Sequence, residues 1–204
     1  MKKYFEEFID NNFFPNRENI IKTFGRYLEL LRVENRKINL VSRETTKREF
    51  WTLHFLDSIL PVTHMNLKGK KVLDFGTGGG LPGIPLKIVE PEMQLYMLDS
   101  RRKKVLAVER IIKKLDLNQC FTIVSRLEEL DSKYNGFFDA IVCRSVRIKP
   151  NFVKHLFRIM KDDGRIYLYK SRKLDDVKQF WNAKIIDVSH TAIGDRKIAE
   201  IKKK

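Results

Sequence analysis

Five of the chain's ten glycines fall within Gly76–Gly83, inside the run KVLDFGTGGGLPGIP at 71–85. Glycine admits backbone angles closed to other residues and lets a ligand approach the main chain without meeting a Cβ. Ahead of the cluster, Lys71–Phe75 reads as a short apolar strand; behind it, Gly83–Val89 reads as a helix. Pro82 and Pro85 suit the first turn of that helix, where a missing N–H costs nothing. Strand, glycine turn and helix together open a nucleotide-binding α/β unit.

From residue 67 onwards, strand and helix signals alternate. The expected strands are Lys71–Phe75, Gln94–Asp99, Cys120–Ser125, Phe138–Cys143, Arg165–Lys170, Ala183–Ser189 and Lys197–Lys202. Helices are expected over Gly83–Val89, Arg101–Leu115, Pro150–Met160 and Leu174–Phe180. Such alternation predicts an α/β fold with a mainly parallel sheet and helices on both faces. Only TAIGD separates the last two strands, so they should form an antiparallel hairpin at or near the sheet edge. A seven-stranded, mostly parallel Rossmann-like sheet with that hairpin is the plan of the S-adenosylmethionine-dependent methyltransferases.

The first 66 residues lack a strong strand signal. Asn16–Val33 places Ile20, Ile21, Phe24, Tyr27, Leu28 and Leu31 at helical spacing, with Asn16 as a candidate N-cap. Thr46–Val62 repeats the pattern and should end near Pro61. The chain therefore divides into a helical extension at 1–66 and a methyltransferase-like domain at 67–204.

With 43% hydrophobic and 33% charged residues among 204, the composition is globular. No run reaches membrane-spanning length, and the acid-containing N-terminus does not read as a signal peptide. Cys120 and Cys143 lie in apolar strand-like runs, which suits reduced, buried thiols and a cytoplasmic protein. The net charge of +15 favours a polyanionic partner, although a lysine-rich solvated surface would give the same balance. Residues 1–66 hold 11 basic and 9 acidic side chains, whereas residues 67–204 hold 30 and 17. The positive field belongs to the glycine-turn domain.

Two glycine patterns overlap in the turn. Gly78, Gly80 and Gly83 satisfy the dinucleotide fingerprint G-x-G-x-x-G. Asp74, Gly76, Gly78 and Gly80 satisfy D-x-G-x-G-x-G, the methyltransferase form. An acid beside a pyrophosphate would repel it, whereas Asp74 could help hold the amino end of S-adenosylmethionine, directly or through water. Asp99 closes the second strand 19 residues beyond Gly80, close to the spacing of about 20 at which an acid meets an adenosine ribose. It could also cap the next helix with Ser100. Glu128 and the Leu127 main chain, after the third strand, are candidates for the adenine, though an acid there also suits a helix start.

Arg144, at the end of the fourth strand, could contact a cofactor carboxylate or a substrate phosphate. Cys143 continues the apolar strand without a Pro-Cys motif, so a structural thiol is expected rather than a nucleophile. Arg101 and Arg102 open a helix at its positive end, which suggests an anionic partner. Lys170 stands at the same strand-end edge, where open α/β sheets bind ligands. The four histidines lack zinc-site spacing, and neither G-x-S-x-G nor a P-loop is present, so no metal is expected.

DFGTGGGLPGIPLKIVEP with LDS at 98–100 closely resembles the bacterial small-subunit ribosomal RNA guanine-N7 methyltransferases, the glucose-inhibited division protein B family. INLVSRETTKREFWTLHFLDS at 38–58 resembles that family's N-terminal segment, through Asn39, Leu40, His54, Leu56, Asp57 and Ser58. SRLEEL at 125–130, CRSV at 143–146 and GRIYLYKS at 164–171 resemble further family segments. Cys143, Ser145 and Ser171 depart from the family's usual serine, alanine and glycine, and Arg147 adds a charge.

The resemblance implies that Gly76, Leu81, Leu127, Glu128 and Arg144 contact S-adenosylmethionine; Arg126, Arg144 and Lys170 are candidates for RNA contact. It implies methyl transfer to guanine N7 of 16S ribosomal RNA, free or in the small ribosomal subunit; a monomer is expected. N7 already carries a lone pair, so no catalytic base or covalent nucleophile is required; positioning and exclusion of water suffice. Alternatives are a methyltransferase acting on another RNA or a small molecule, an NAD-binding oxidoreductase, and an RNA-binding protein with a vestigial cofactor pocket.

Overall fold

The computed structural model describes residues 1–12 and 14–203. Its seven strands are β1 (Lys71–Phe75), β2 (Gln94–Asp99), β3 (Cys120–Val124), β4 (Phe138–Arg144), β5 (Met160–Lys170), β6 (Lys184–Asp187) and β7 (Lys197–Lys202). They form one sheet in the order β3-β2-β1-β4-β5-β7-β6. Strands β1 to β5 pair in parallel, whereas β7 pairs antiparallel with both β5 and β6. The chain reverses its strand order at β1, which lies between β2 and β4. In open α/β sheets that reversal leaves a crevice beyond the carboxyl ends of the strands.

The helices are α1 (Lys2–Asn11), α2 (Arg17–Lys37), α3 (Asp57–Ile59), α4 (Gly83–Val89), α5 (Arg102–Leu115) and α6 (Pro150–Ile159). Strand residues alternate between two apolar layers, as a pleated strand requires. Leu73 and Phe75 of β1, with Ile141 and Cys143 of β4, pack towards Leu156 and Ile159 of α6. Val72, Ala140 and Val142 face the other way, into a layer that includes Phe5 and Ile9 of α1 and Phe24, Tyr27 and Leu31 of α2. The N-terminal helices therefore complete a core that the sheet begins. Polar contacts fasten the same junction. Glu34 of α2 pairs with Arg110 of α5 at 2.6 Å, and Tyr27 donates its hydroxyl to the Gly79 carbonyl at 2.8 Å.

Several sequence expectations are corrected. Thr46–Val62 is not one α-helix but contains a π-helical turn at Phe50–Leu56, then α3 and a 3₁₀ turn at Leu60–His64. Pro61 opens the last turn instead of ending the helix, because its missing N–H falls where no bond is required. Leu174–Phe180 forms successive turns, closed by Val177 N–H to Leu174 O and Phe180 N–H to Val177 O. Gln179 donates its side-chain amide to the Asp176 carbonyl at 2.6 Å, the acceptor that Phe180 would need in an α-helix. Asn16 occupies the N-cap position of α2 at φ 57° but makes no side-chain capping bond. Pro82 is the N-cap of α4, so only Pro85 lies inside that helix.

The Tyr27 hydroxyl is buried and reaches across the core to the glycine turn. Tyr27→Phe should reduce unfolding free energy by about 1–3 kcal/mol, since it leaves the Gly79 carbonyl without that donor. Urea titration would measure the loss; unchanged stability would mean that this bond does not fasten the turn.

Candidate active site

The turn after β1 is tied to β2 and α4. Gly76 N–H and Thr77 N–H both donate to the Leu98 carbonyl, at 2.9 and 3.0 Å. Beneath the turn, Asp74 accepts the Thr77 hydroxyl at 2.6 Å and the Gly83 N–H at 3.0 Å. Asp74 is wholly buried, and its other carboxylate oxygen has no partner among the described residues. Burial raises its carboxyl to about 6, although the Thr77 and Gly83 bonds oppose the shift.

Asp74 does not face the adjoining cavity, contrary to the expectation that it holds a cofactor amino group. It shares the β1 face of Val72, which the helices cover, and fastens the turn from below. Gly80 is likewise off the cavity wall. At φ 91° a Cβ there would strike Ile84 and lie 3.1 Å from the Tyr27 hydroxyl. Its missing side chain serves packing.

The cavity itself encloses about 730 Å³ at the strand-end edge. That volume lies within the range of small-molecule sites, roughly 300–1,000 Å³. Gly76, at φ 75°, forms one wall; a Cβ there would lie 2.5 Å from Val146 Cγ2. Gly78 and Leu81 line the same turn. Asp99 is held between two backbone donors, Gly78 N–H at 3.2 Å and Arg101 N–H at 2.9 Å. The expected cap role is not met, because Arg101 is the N-cap of α5 and α5 has no side-chain cap; Asp99 instead fixes the turn before the helix, and its remaining acceptor capacity adjoins the cavity.

Leu127 and Val146 supply apolar surface, as do Phe75 and Phe152, whose rings meet edge to face at 5.5 Å. Glu128 lines the same end and accepts the Asn151 amide at 3.2 Å. Exposed Arg126 and Arg101 lie on the rim, whereas Arg102 is exposed outside it because the helical rotation carries it away.

Arg144 ends β4 on the face of Val142, pointing towards the N-terminal segment. Its guanidinium donates to Asp57 at 3.0 Å and to the His54 carbonyl at 3.2 Å. The second Asp57 oxygen accepts Arg196 Nε at 2.5 Å. Burial and the adjacent Arg144 charge lower the His54 pKa to about 4, with Asp57 opposing. His54 is therefore neutral at physiological pH.

Beyond Arg144 lies a second cavity of about 510 Å³, which shares Arg144, Ser145 and Val146 with the first. Lys170 lines this second space, paired with Asp176 at 2.6 Å. Ser145 turns the chain at the junction in a left-handed conformation, φ 61°. Cys143 points into the opposite layer, where burial pushes its thiol up to about 12, so it offers no thiolate.

Sequence reasoning did not assign roles to Asp57, His54, Arg196, Val146 or Phe152. Asp57 and Arg196 meet across a span that no local pattern encodes. Phe152 lies within the helix expected over Pro150–Met160, where no local pattern marks it off. Among the described residues, no group of three or more His, Cys, Asp or Glu side chains could hold a metal ion.

The raised Asp74 pKa has a definite sign. Its contribution to stability is fully present below the ordinary Asp value and is lost as pH rises to about 6, because folding then buries a charge. Urea titrations of the wild type and Asp74→Asn should show the wild type losing ground between about pH 4 and pH 6. A stability difference that stays constant with pH would contradict this.

A family model described as rRNA small subunit methyltransferase G matches residues 20–197. A Christiangramia forsetii protein named ribosomal RNA small subunit methyltransferase G is 36% identical over 93% of this chain and 87% of its own. A Mesoplasma florum protein of the same name is 35% identical over 88% of this chain and 75% of its own. Among solved structures, a SAM-dependent methyltransferase from Aquifex aeolicus superposes with a TM-score of 0.58 at 19% identity, covering 75% of this chain and 93% of that one. A tRNA methyltransferase from the same organism gives 0.57 at 16% identity, covering 72% and 68%. The two superpositions establish the Rossmann-like methyltransferase fold, and the sequence matches establish that this chain belongs to the rRNA small subunit methyltransferase G family.

Proposed function

We propose that the chain transfers the methyl group of S-adenosylmethionine to guanine N7 in 16S ribosomal RNA, as a cytoplasmic monomer. The observation that carries this reading is the strand-end cavity: a glycine turn, a backbone-held carboxylate at the end of β2 and an apolar slot converge on it. Among the described residues no helix is long and apolar enough to cross a membrane. Residues 1–66 act here as a helical cover for the 67–204 unit, since they share its core.

The residues present fit the cofactor. Asp99 has acceptor capacity left for ribose hydroxyls, and Leu127, Val146 and Phe152 can enclose a purine, with Glu128 beside them. Glycine at 76, where a Cβ would strike Val146, leaves the turn without a side chain to obstruct a ligand. When bound, the cofactor supplies an electrophilic methyl: the N7–carbon bond forms as the sulfur–carbon bond breaks, sulfur keeps the electron pair, and positive charge passes to the purine. The chain's residues hold donor and acceptor in line. Arg144 is fixed by Asp57 and the His54 carbonyl at the junction of the two cavities. Arg126 and Arg101 on the rim can meet RNA phosphates, whereas the charge of Lys170 in the second cavity is matched by Asp176.

Incubation with tritiated S-adenosylmethionine and undermodified small-subunit RNA and particles, followed by nuclease mapping, tests the assignment. Label is expected as N7-methylguanosine at one site; cofactor binding without such label would overturn the assigned acceptor. In calorimetric titration, Asp99→Ala should weaken cofactor binding by about 10–100-fold, because it removes a charged hydrogen-bond acceptor. Unchanged affinity would remove Asp99 from the binding site.

A further inference from the structure

We propose that the 510 Å³ cavity beyond Arg144 seats the acceptor base, and that Asp175 on its rim reads the N1–H and N2 amino group of guanine. This inference rests on the guanine-N7 reading above and adds the means by which the base is recognised. The cavity shares Arg144, Ser145 and Val146 with the cofactor space, so a ligand in either meets a common wall. A base seated there can present an edge to that wall without passing through the glycine turn. A reacting base must be unstacked from its helix, and enzymes read such bases through their Watson–Crick edge.

Guanine chemistry dictates what the far end of such a cavity requires. N7 and the N1/N2 edge lie on opposite sides of the bicyclic ring. Turning N7 towards Arg144 and Val146 therefore turns two N–H donors outwards, towards the rim. A carboxylate accepts two such donors together, whereas adenine would oppose it with the N1 lone pair.

Three carboxylates line this cavity, and two are already committed. Asp57 divides its oxygens between Arg144 and Arg196. Asp176 accepts the Ile148 N–H at 2.8 Å and Lys170 at 2.6 Å. Asp175 is exposed and has no hydrogen bond or ion pair among the described residues. It follows β5 in the turn segment at 174–180, whose backbone is fixed by the Gln179 amide bonds to Ile148 O and Asp176 O. Arg147 and Lys173 also line the cavity without partners among the described residues. They are placed to take the phosphates that flank an everted nucleotide. Thus the cavity combines free cations for a backbone with one free carboxylate for a base edge.

Inosine tests the assignment because it keeps N7, O6 and N1–H but lacks the N2 amino group. Single-turnover methylation would be measured on small-subunit RNA carrying guanosine or inosine at the mapped position. Wild type should prefer guanosine by at least about 10-fold in kcat/KM, the value expected for a hydrogen bond to a charged group. Asp175→Ala should lose more on guanosine, which forfeits the bonds to N1–H and N2, than on inosine, which forfeits only the N1–H bond, and so bring the ratio near one, with cofactor affinity unchanged by calorimetry. Asp175→Asn, which keeps one acceptor oxygen, should fall between them. A ratio that survives Asp175→Ala, or a wild type indifferent to the N2 group, would overturn the role of Asp175. Wild-type label on another base or another guanine atom would instead sink the guanine-N7 reading itself.

Discussion

The Asp57 carboxylate carries two guanidinium groups from distant parts of the chain, Arg144 at the end of β4 and Arg196 before β7. Its own place is fixed by the irregular helical segment from Phe50 to His64. One side chain thereby ties the N-terminal helices to the strand-end edge and sets the partition between the two cavities. Asp57 and Arg144 are only 13% and 10% exposed. Removing one partner of a buried pair typically costs about 3–5 kcal/mol, because the other charge is stranded. The Tyr169 hydroxyl, donating to the Ser58 carbonyl at 2.8 Å, reinforces the same attachment from β5.

The glycine turn is built on a similar division of labour between acids. Asp74 works below the turn, sealed from the cavity, and binds Thr77 and the start of α4. Asp99 works at its surface, where backbone donors orient the carboxylate beside the cavity. Asp74 accordingly offers no direct argument against a pyrophosphate ligand, since it would not meet one. Family membership decides against the dinucleotide reading.

Much of this was legible in the sequence because the signals were local. A strand followed by glycines and a helix predicts its own geometry, and β1, β2, α4 and β7 fall where periodicity places them. The edge hairpin followed from a connection too short for a helix. Leu174–Phe180 failed for a physical reason: a side-chain amide captured the carbonyl that a helix required. Asp74 and Gly80 matched a glycine pattern that does not distinguish a ligand-facing residue from one beneath the turn. Charge pairs such as Asp57–Arg196 depend on how the whole sheet brings remote segments together, which no window of sequence contains.

On the proposed function, catalysis is positioning: no side chain gains or loses a proton as the methyl group moves. His54 is neutral at physiological pH, and the Cys143 thiol stays protonated. The most direct measurement is the single-turnover rate of methyl transfer at saturating cofactor and RNA, followed from about pH 6.5 to about pH 8. A level profile is the predicted result. A rate that rises or falls tenfold per pH unit across that window would reveal an essential acid or base and contradict the account.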